Sequence, residues 1–171
     1  MHRTWTWILV VFLVGWLLCG CGETTTPERV EVDRQADPPV EQIEVFSMGE
    51  TIRMGGLAIT VNSVREDRGS EWLAPKDGHT YYIVDSTLEN LSDKSEVVSS
   101  LMMFSLVDGE GYKYSVTFGP ETRGNLDGEL GAGRKMRGEL VFEIPDDAID
   151  LELVFEPQVL GFGQAVIAMD R

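Results

Sequence analysis

Cysteine is almost missing from this chain. Its 171 residues hold two, Cys19 and Cys21, and beyond residue 21 there is none. That absence excludes a disulfide framework, a Cys-ligated zinc site and a cysteine nucleophile from everything after Cys21. Histidine is as scarce, with only His2 and His79. A Ser/His/Asp triad needs a base and a group that orients it, and no nucleophile-elbow signature accompanies His79. It follows Lys76, Asp77 and Gly78 at the start of an alternating run and reads as a turn histidine. A His-based metal site would also need a second histidine or an acidic cluster of usable spacing.

Positive charge is short too. There are 14 Lys and Arg against 29 Asp and Glu, for a net charge of −15. Residues 1–20 contain Arg3 and no acid, so their removal would leave −16. Such a chain is repelled by phosphate backbones and anionic membrane surfaces, which excludes nucleic acid as a partner. Solubility outside the cell explains the charge; the functional alternative is a cation or a basic partner. Phosphate-loop chemistry is absent. Gly128 to Gly133 reads Gly-Glu-Leu-Gly-Ala-Gly and leads into Arg134-Lys135, with no Lys-Ser/Thr pair or helix signal. Those glycines read as a tight approach into the next strand. Asp108-Gly109-Glu110-Gly111 lacks the alternating acids and closing Glu of an EF-hand loop and reads as a β-turn. Asp146-Asp147 after Pro145 is a turn of the same kind. No cofactor and no metal is expected.

Long hydrophobic runs are limited to one. Trp5 to Leu18 is 14 residues and includes Thr6 and Gly15, whereas a spanning helix needs about 20. A basic start, an apolar stretch and a small residue before a cut form a secretory signal. Leu18-Cys19-Gly20-Cys21 resembles the lipobox of bacterial lipoproteins, with Cys19 where Ala, Ser or Thr is usual. The resemblance implies cleavage after Gly20 and a lipidated Cys21, so that the partner of the N-terminus is a lipid bilayer. Residues 21–43 then form a tether, acidic and bearing Thr24-Thr25-Thr26-Pro27 and Pro38-Pro39. It has too few apolar residues to order itself. A flexible coil of about 21 residues spans about 25 Å.

From residue 44 to 171 the pattern is alternation. Leu57, Ile59 and Val61 fall on one face; so do Tyr82, Val84 and Leu88, then Leu140, Phe142 and Ile144, then Leu151, Leu153 and Phe155. Period-2 runs with one polar face predict half-buried antiparallel strands. Gly55-Gly56, Ser92-Asp93, Asp108–Gly111 and Pro145–Asp147 punctuate them. The runs lie near 45–53, 57–65, 80–90, 95–99, 103–107, 112–116, 136–144, 151–155 and 164–169. Seven to nine such strands predict an immunoglobulin-like β-sandwich. The core should contain Leu57, Ile59, Val61, Val84, Leu88, Phe104, Leu106, Leu140, Phe142, Leu153 and Phe155. Residues 97–104 could hold a helical turn, but their β-branched members argue for extended chain. The last run should pair at a sheet edge.

Several of these segments also look familiar as a set. Gly49-Glu50-Thr51, Gly55 to Val64, Tyr82 to Asn90, Phe104 to Asp108 and Gly138 to Pro145 follow a lipobox in that order. The series resembles the family of bacterial lipoproteins and secreted proteins known as domain of unknown function 4352. That family is grouped with a mycobacterial immunoprotective extracellular antigen of immunoglobulin-like fold. The resemblance covers about residues 44–157. It implies a fold and an extracytoplasmic location, and no catalytic residues.

Two long loops can carry recognition, Glu66–Gly78 and Ser115–Arg134. Their candidate partner-binding residues are Trp72, Leu73, Phe118 and Arg123. The residue types suit an interface, although large aromatics are usually buried, which predicts that Trp72 and Phe118 cap the ends of the sandwich. The expected protein is a membrane-anchored, extracytoplasmic lipoprotein presenting a non-catalytic binding domain to an envelope protein or ligand. The alternatives are a hydrolase using two carboxylates in a cleft, one with a raised pKa, and a structural envelope protein.

Overall fold

The computed structural model describes residues 44–157 and 163–170. The expected signal segment 1–20 and the expected tether 21–43, with Cys21, lie outside the described residues. Among those described, no helix is long and apolar enough to cross a membrane. The elements in chain order are β1 (Val45–Ser47), β2 (Thr51–Met54), β3 (Leu57–Asp67), β4 (His79–Asn90), β5 (Glu96–Val98), α1 (Ser100–Met103), β6 (Phe104–Val107) and β7 (Lys113–Ser115). They continue with β8 (Gly128–Leu130), β9 (Lys135–Pro145), β10 (Glu152–Phe155) and β11 (Ala165–Ala168). One sheet has the order β1-β11-β10-β6-β7, a second β2-β3-β4-β9, and β5 pairs β8 in a short ladder. All pairings are antiparallel except β1 with β11.

The two larger sheets face each other across one apolar layer, a β-sandwich. Ile59, Val84, Leu140 and Phe142 from one sheet join Leu106, Leu153, Phe155 and Ile167 from the other in a single buried cluster. Phe104 and Phe155, opposite in register, stack with ring centroids 5.0 Å apart. Every residue expected in the core is buried. The alternation therefore set the register, since a one-residue slip would have turned each side chain outward.

Four expectations are corrected. The run at 45–53 is two strands, because Ser47 to Glu50 turns back: the Glu50 amide donates to the Ser47 carbonyl (3.2 Å) and its carboxylate accepts from the Ser47 amide (2.6 Å). Residues 97–104 divide by chemistry. The β-branched Val97 and Val98 stay in β5, while the chain from Ser100 to Met103 forms a helical turn anchored by Asp127, which accepts from the Ser100 amide and hydroxyl at 2.8 and 2.9 Å. β8 was not expected; it pairs with β5 in a ladder apart from the two larger sheets, which hold five and four strands, within the predicted seven to nine. Only Leu130 of β8 is buried, so no period marks it. Finally, β11 lies between β1 and β10 and leaves the edge to β1.

Candidate functional site

Alternation that buries one face of β3, β4 and β9 must turn the other outward. That outer face presents Arg65 and Asp67 from β3, Tyr81, Ile83 and Asp85 from β4, and Arg137, Glu139, Val141 and Glu143 from β9. An irregularity between Val61 and Ser63 adds Asn62 to it, whose Nδ2 donates to Asp85 Oδ1 (3.1 Å) and Thr87 Oγ1 (3.0 Å). Tyr81, Ile83 and Val141 form a second, smaller buried cluster.

The connection from β7 to β8 explains why apolar groups on an outer face are buried. It runs along β9, bridging Val116 to Phe142 and Gly124 to Gly138, and the Thr117 amide donates to the Val141 carbonyl (2.8 Å). Gly119 packs on Val141 and Tyr81. The tight backbone approach expected at Gly128–Gly133 occurs here instead. A Cβ on Gly124, which has φ +66, would lie 2.4 Å from the Arg137 carbonyl oxygen, whereas a Cβ on Gly128 or Gly133 would meet nothing within 4 Å. Gly133 serves a turn and Gly128 opens β8, both at positive φ (+66 and +115).

Beneath this loop lies a charged network. Asp85 and Glu139 stand directly opposite on β4 and β9. Arg137 grips Asp85 with two parallel bonds, Nε to Oδ1 at 2.9 Å and a terminal nitrogen to Oδ2 at 2.6 Å. Glu139 Oε2 accepts from the Arg65 guanidinium (3.1 Å) and the Arg123 amide (3.0 Å). Arg65 also reaches the Glu121 carbonyl at 3.3 Å. The Arg137 hydrogen bonds hold the Asp85 carboxyl below its ordinary pKa, against the opposing pull of burial. Burial pushes the Glu139 carboxyl up, but Arg65 and the Arg123 amide together outweigh it and leave it lowered. A groove of about 530 Å³ opens beside them, lined by Arg65, Asp85, Arg123 and Glu139 among others. On the far side of the loop a more apolar groove of about 460 Å³ is lined by Leu101, Phe118, Pro120, Leu126 and Val141. Thr122 and Glu139 border both.

Two opposed carboxylates in a groove are what the hydrolase reading requires, but both are held ionised. A glycosidase-type mechanism needs one of the pair to carry a proton at working pH. The arginines remove that proton, so this geometry counts against the reading. Among the described residues no group of three His, Cys, Asp or Glu is arranged to hold a metal ion. His79 opens β4, with Nδ1 3.1 Å from the Asp77 carbonyl. The Asp108 segment is a turn: its carboxylate accepts from the Glu110 and Tyr112 amides (3.0 and 2.9 Å) and from the Tyr114 hydroxyl (2.6 Å).

The loop aromatics overturn the capping expectation. Trp72 is 90% exposed and Phe118 93%. Trp72 sits at the tip of a two-residue turn in which Ser70 and Leu73 exchange both backbone bonds, at 3.0 and 3.1 Å. The turn has no room for a side chain at Gly69 (φ +70), where a Cβ would lie 2.0 Å from the Leu73 carbonyl oxygen. The Gly69 amide is fixed by Asp67 Oδ1 at 2.7 Å. The tip therefore projects, and no element is left for the indole to pack on. Leu73 is also exposed. Arg123 is pinned through its amide, lines the charged grooves and forms no ion pair among the described residues.

The structure thus sets the sequence candidates on two loops fastened to β9, the Trp72 loop through the Lys76 amide on Glu143 (3.1 Å) and the Phe118–Arg123 loop through Glu139. Sequence reasoning missed Asp85, Arg65, Arg137 and Glu139. The available signal was charge at outward positions of long strands, which alone does not say which strands are neighbours.

These features define a two-sheet β-sandwich of the immunoglobulin-like kind, with large aromatic side chains exposed on its loops. The chain belongs to the family described as Domain of unknown function (DUF4352), which matches residues 46–166. It is similar in structure to the yjhA protein of Bacillus subtilis, at 23% identity and a TM-score of 0.62, over 74% of this chain and 100% of that one. It is similar also to ycdA of B. subtilis, named as a candidate lipoprotein, at 17% identity and a TM-score of 0.59, over 70% of this chain and 38% of that one. The secreted protein MPT63 of Mycobacterium tuberculosis has 12% identity and a TM-score of 0.54, over 77% of this chain and 99% of that one. At these identities the likeness is one of fold. No curated protein matches the chain.

Proposed function

We propose that this protein is an extracytoplasmic lipoprotein, anchored through Cys21, whose sandwich is a non-catalytic binding module. The observation that carries the binding reading is the exposure of Trp72 and Phe118, 90% and 93%, on loops that are hydrogen-bonded to the sheet. A free protein loses solubility by showing large aromatics on rigid supports, whereas an interface uses them as anchors whose ordering cost is already met. The ionised state of Asp85 and Glu139 favours binding over hydrolysis. The lipobox-like Leu18-Cys19-Gly20-Cys21 supports the anchor, and the secreted MPT63 and candidate lipoprotein ycdA are fold relatives consistent with that location.

Two experiments test the two halves. A photo-crosslinking amino acid placed at Trp72 or Phe118 of the full chain in cells should give a discrete adduct with one partner. The same group at exposed Lys94 should give none, and no adduct from either loop position would overturn the binding reading. For the anchor, metabolic labelling with a palmitate analogue should mark the wild type and Cys19→Ser but not Cys21→Ser. Label retained in Cys21→Ser would refute the assignment.

A further inference from the structure

Three connections at one end of the sandwich are stitched into a single surface. The Asp146 amide donates to the Gly78 carbonyl (2.9 Å), and Arg68 pairs with Asp146 at 2.7 Å. The Gly109 amide donates to the Ile149 carbonyl at 3.0 Å. The β3–β4 loop, the β9–β10 loop and the β6–β7 turn are therefore neighbours held by backbone bonds. Each shows solvent a large apolar side chain: Trp72, Ile149 at 63% and Tyr112 at 63% exposure. One such residue on a surface means little. One from each of three bonded loops makes an anchor with flanking contacts.

The charge around them is mostly negative, although the exposed Lys113 follows Tyr112. Residues 67–78, 108–112 and 146–150 hold eight acids and two bases. Both bases are engaged, Arg68 with Asp146 and Lys76 with Glu143. Glu71, Asp77, Glu110, Asp147 and Asp150 form no ion pair among the described residues. The end also points away from where the chain enters. β1 runs from Val45 to Ser47 alongside β11, and β11 delivers Met169, whose amide bonds to Leu151 at 2.9 Å, beside these loops. A chain arriving at Val45 is heading toward this end, so it stands on the side opposite the entry.

We infer that this end is a docking surface for a basic protein partner, with the partner's Lys and Arg side chains meeting the Trp72 indole, Tyr112 and the unpaired carboxylates. The inference rests on the binding reading above and adds the partner's chemistry. Aromatic faces attract guanidinium and ammonium groups, and an acidic rim steers a cationic partner while turning away acidic ones. The same field disfavours nucleic acid and anionic bilayers.

The test uses the full chain in an uncharged detergent and three fluorescent peptides of equal length, Arg/Lys-rich, neutral and Glu-rich, read by anisotropy. The basic peptide should bind, and the neutral and acidic ones should not. Trp72→Ala should weaken it about tenfold or more. Asp147→Asn with Asp150→Asn should weaken it and flatten its salt dependence. Should Trp72→Ala misfold, Tyr112→Ser and Ile149→Ser at the surface replace it, each with a smaller loss. No preference for the basic peptide would overturn the inference, as would binding insensitive to the apolar substitutions, which is charge alone. Stronger association with phosphatidylglycerol vesicles than with the peptide would assign the face to a membrane and also overturn it. A photo-crosslinked partner that is acidic or neutral would sink this inference and leave the binding reading standing; absence of any adduct would remove both.

Discussion

The two faces of β4 are made from the same twelve residues and obey different rules. Tyr82, Val84 and Leu88 point inward and are almost fully buried, in a layer that both sheets share. Tyr81 and Ile83 point outward and are nearly as buried, at 3% and 1%, yet they touch a separate cluster. The inner face is covered by a sheet; the outer one is covered by loops. Burial is equal and its cause is not. A sheet-covered position belongs to the cooperative core, whereas a loop-covered one depends on a clamp of hydrogen bonds that can be released separately.

The largest effect that could break this comparison lies in the inner layer. Phe142→Ala should cost about 3–5 kcal/mol and Leu140→Ala about 2–5 kcal/mol, from lost transfer energy and a residual cavity. Val141→Ala, one residue away but facing the loop, should cost clearly less, about 1 kcal/mol, because the loop can settle onto the smaller side chain. Urea unfolding of the three variants checks this. Equal losses at positions 141 and 142 would show that the loop-covered face is as cooperative as the core.

How much of this was legible follows the same division. The inner face was readable because its spacing is local: Leu57, Ile59 and Val61, or Leu140, Phe142 and Ile144, declare their direction without knowledge of any partner. The outer face was not. Tyr81, Ile83 and Val141 break the polar alternation, and only the path of the β7–β8 connection, a tertiary fact, accounts for their burial. The network of Asp85 and Glu139 required knowing that β4 and β9 pair, across 54 residues of sequence. Trp72 failed in the other direction. Burial statistics for its residue type pointed inward, and a two-residue turn points it out. That departure from the rule is what marks it as a functional candidate.

A buried hydroxyl sharpens the inner half. Ser86 lies on the inward face with its Oγ unpartnered among the described residues. Ser86→Ala should stabilise the domain by about 1 kcal/mol, since it removes a polar group that folding takes from water without return. A drop in the unfolding midpoint would show that the hydroxyl has an unseen partner.

The clamp on the outer face should be visible in acid. Asp85 and Glu139 both have folded pKa values below their ordinary 3.8 and 4.5. A depressed carboxyl contributes stability that is complete above the unfolded pKa and lost as pH falls through the folded one. The loss therefore begins near pH 4–5 and continues below the ordinary values. The arginines are substantially exposed, with side chains 64% and 41% accessible, so solvent screens both pairs and the acid-limb effect is small. Arg137→Gln should lower stability slightly at neutral and alkaline pH, where Asp85 is ionised, and leave it nearest wild type in acid, so that the acid-limb slope through Asp85 is reduced. An unchanged acid limb in that variant would detach Asp85 from the clamp.

The smallest expected effect on stability separates exposed aromatics from covered ones. Trp72→Ala and Phe118→Ala remove large side chains that pack on almost nothing, so each should change stability by no more than about 0.5 kcal/mol. That is an order of magnitude below Phe142→Ala, for a substitution of similar size. Trp5, Trp7 and Trp16 all fall within residues 1–20, so fluorescence of a chain that begins at Cys21 reports Trp72 alone. Its emission should match free tryptophan in water and shift to the blue only when a partner covers it. A blue-shifted spectrum in the isolated protein, with Trp72→Ala lowering the melting temperature, would place the indole against the domain. It would turn the projecting hairpin into a cap and move the search for a recognition surface to Phe118 and Arg123.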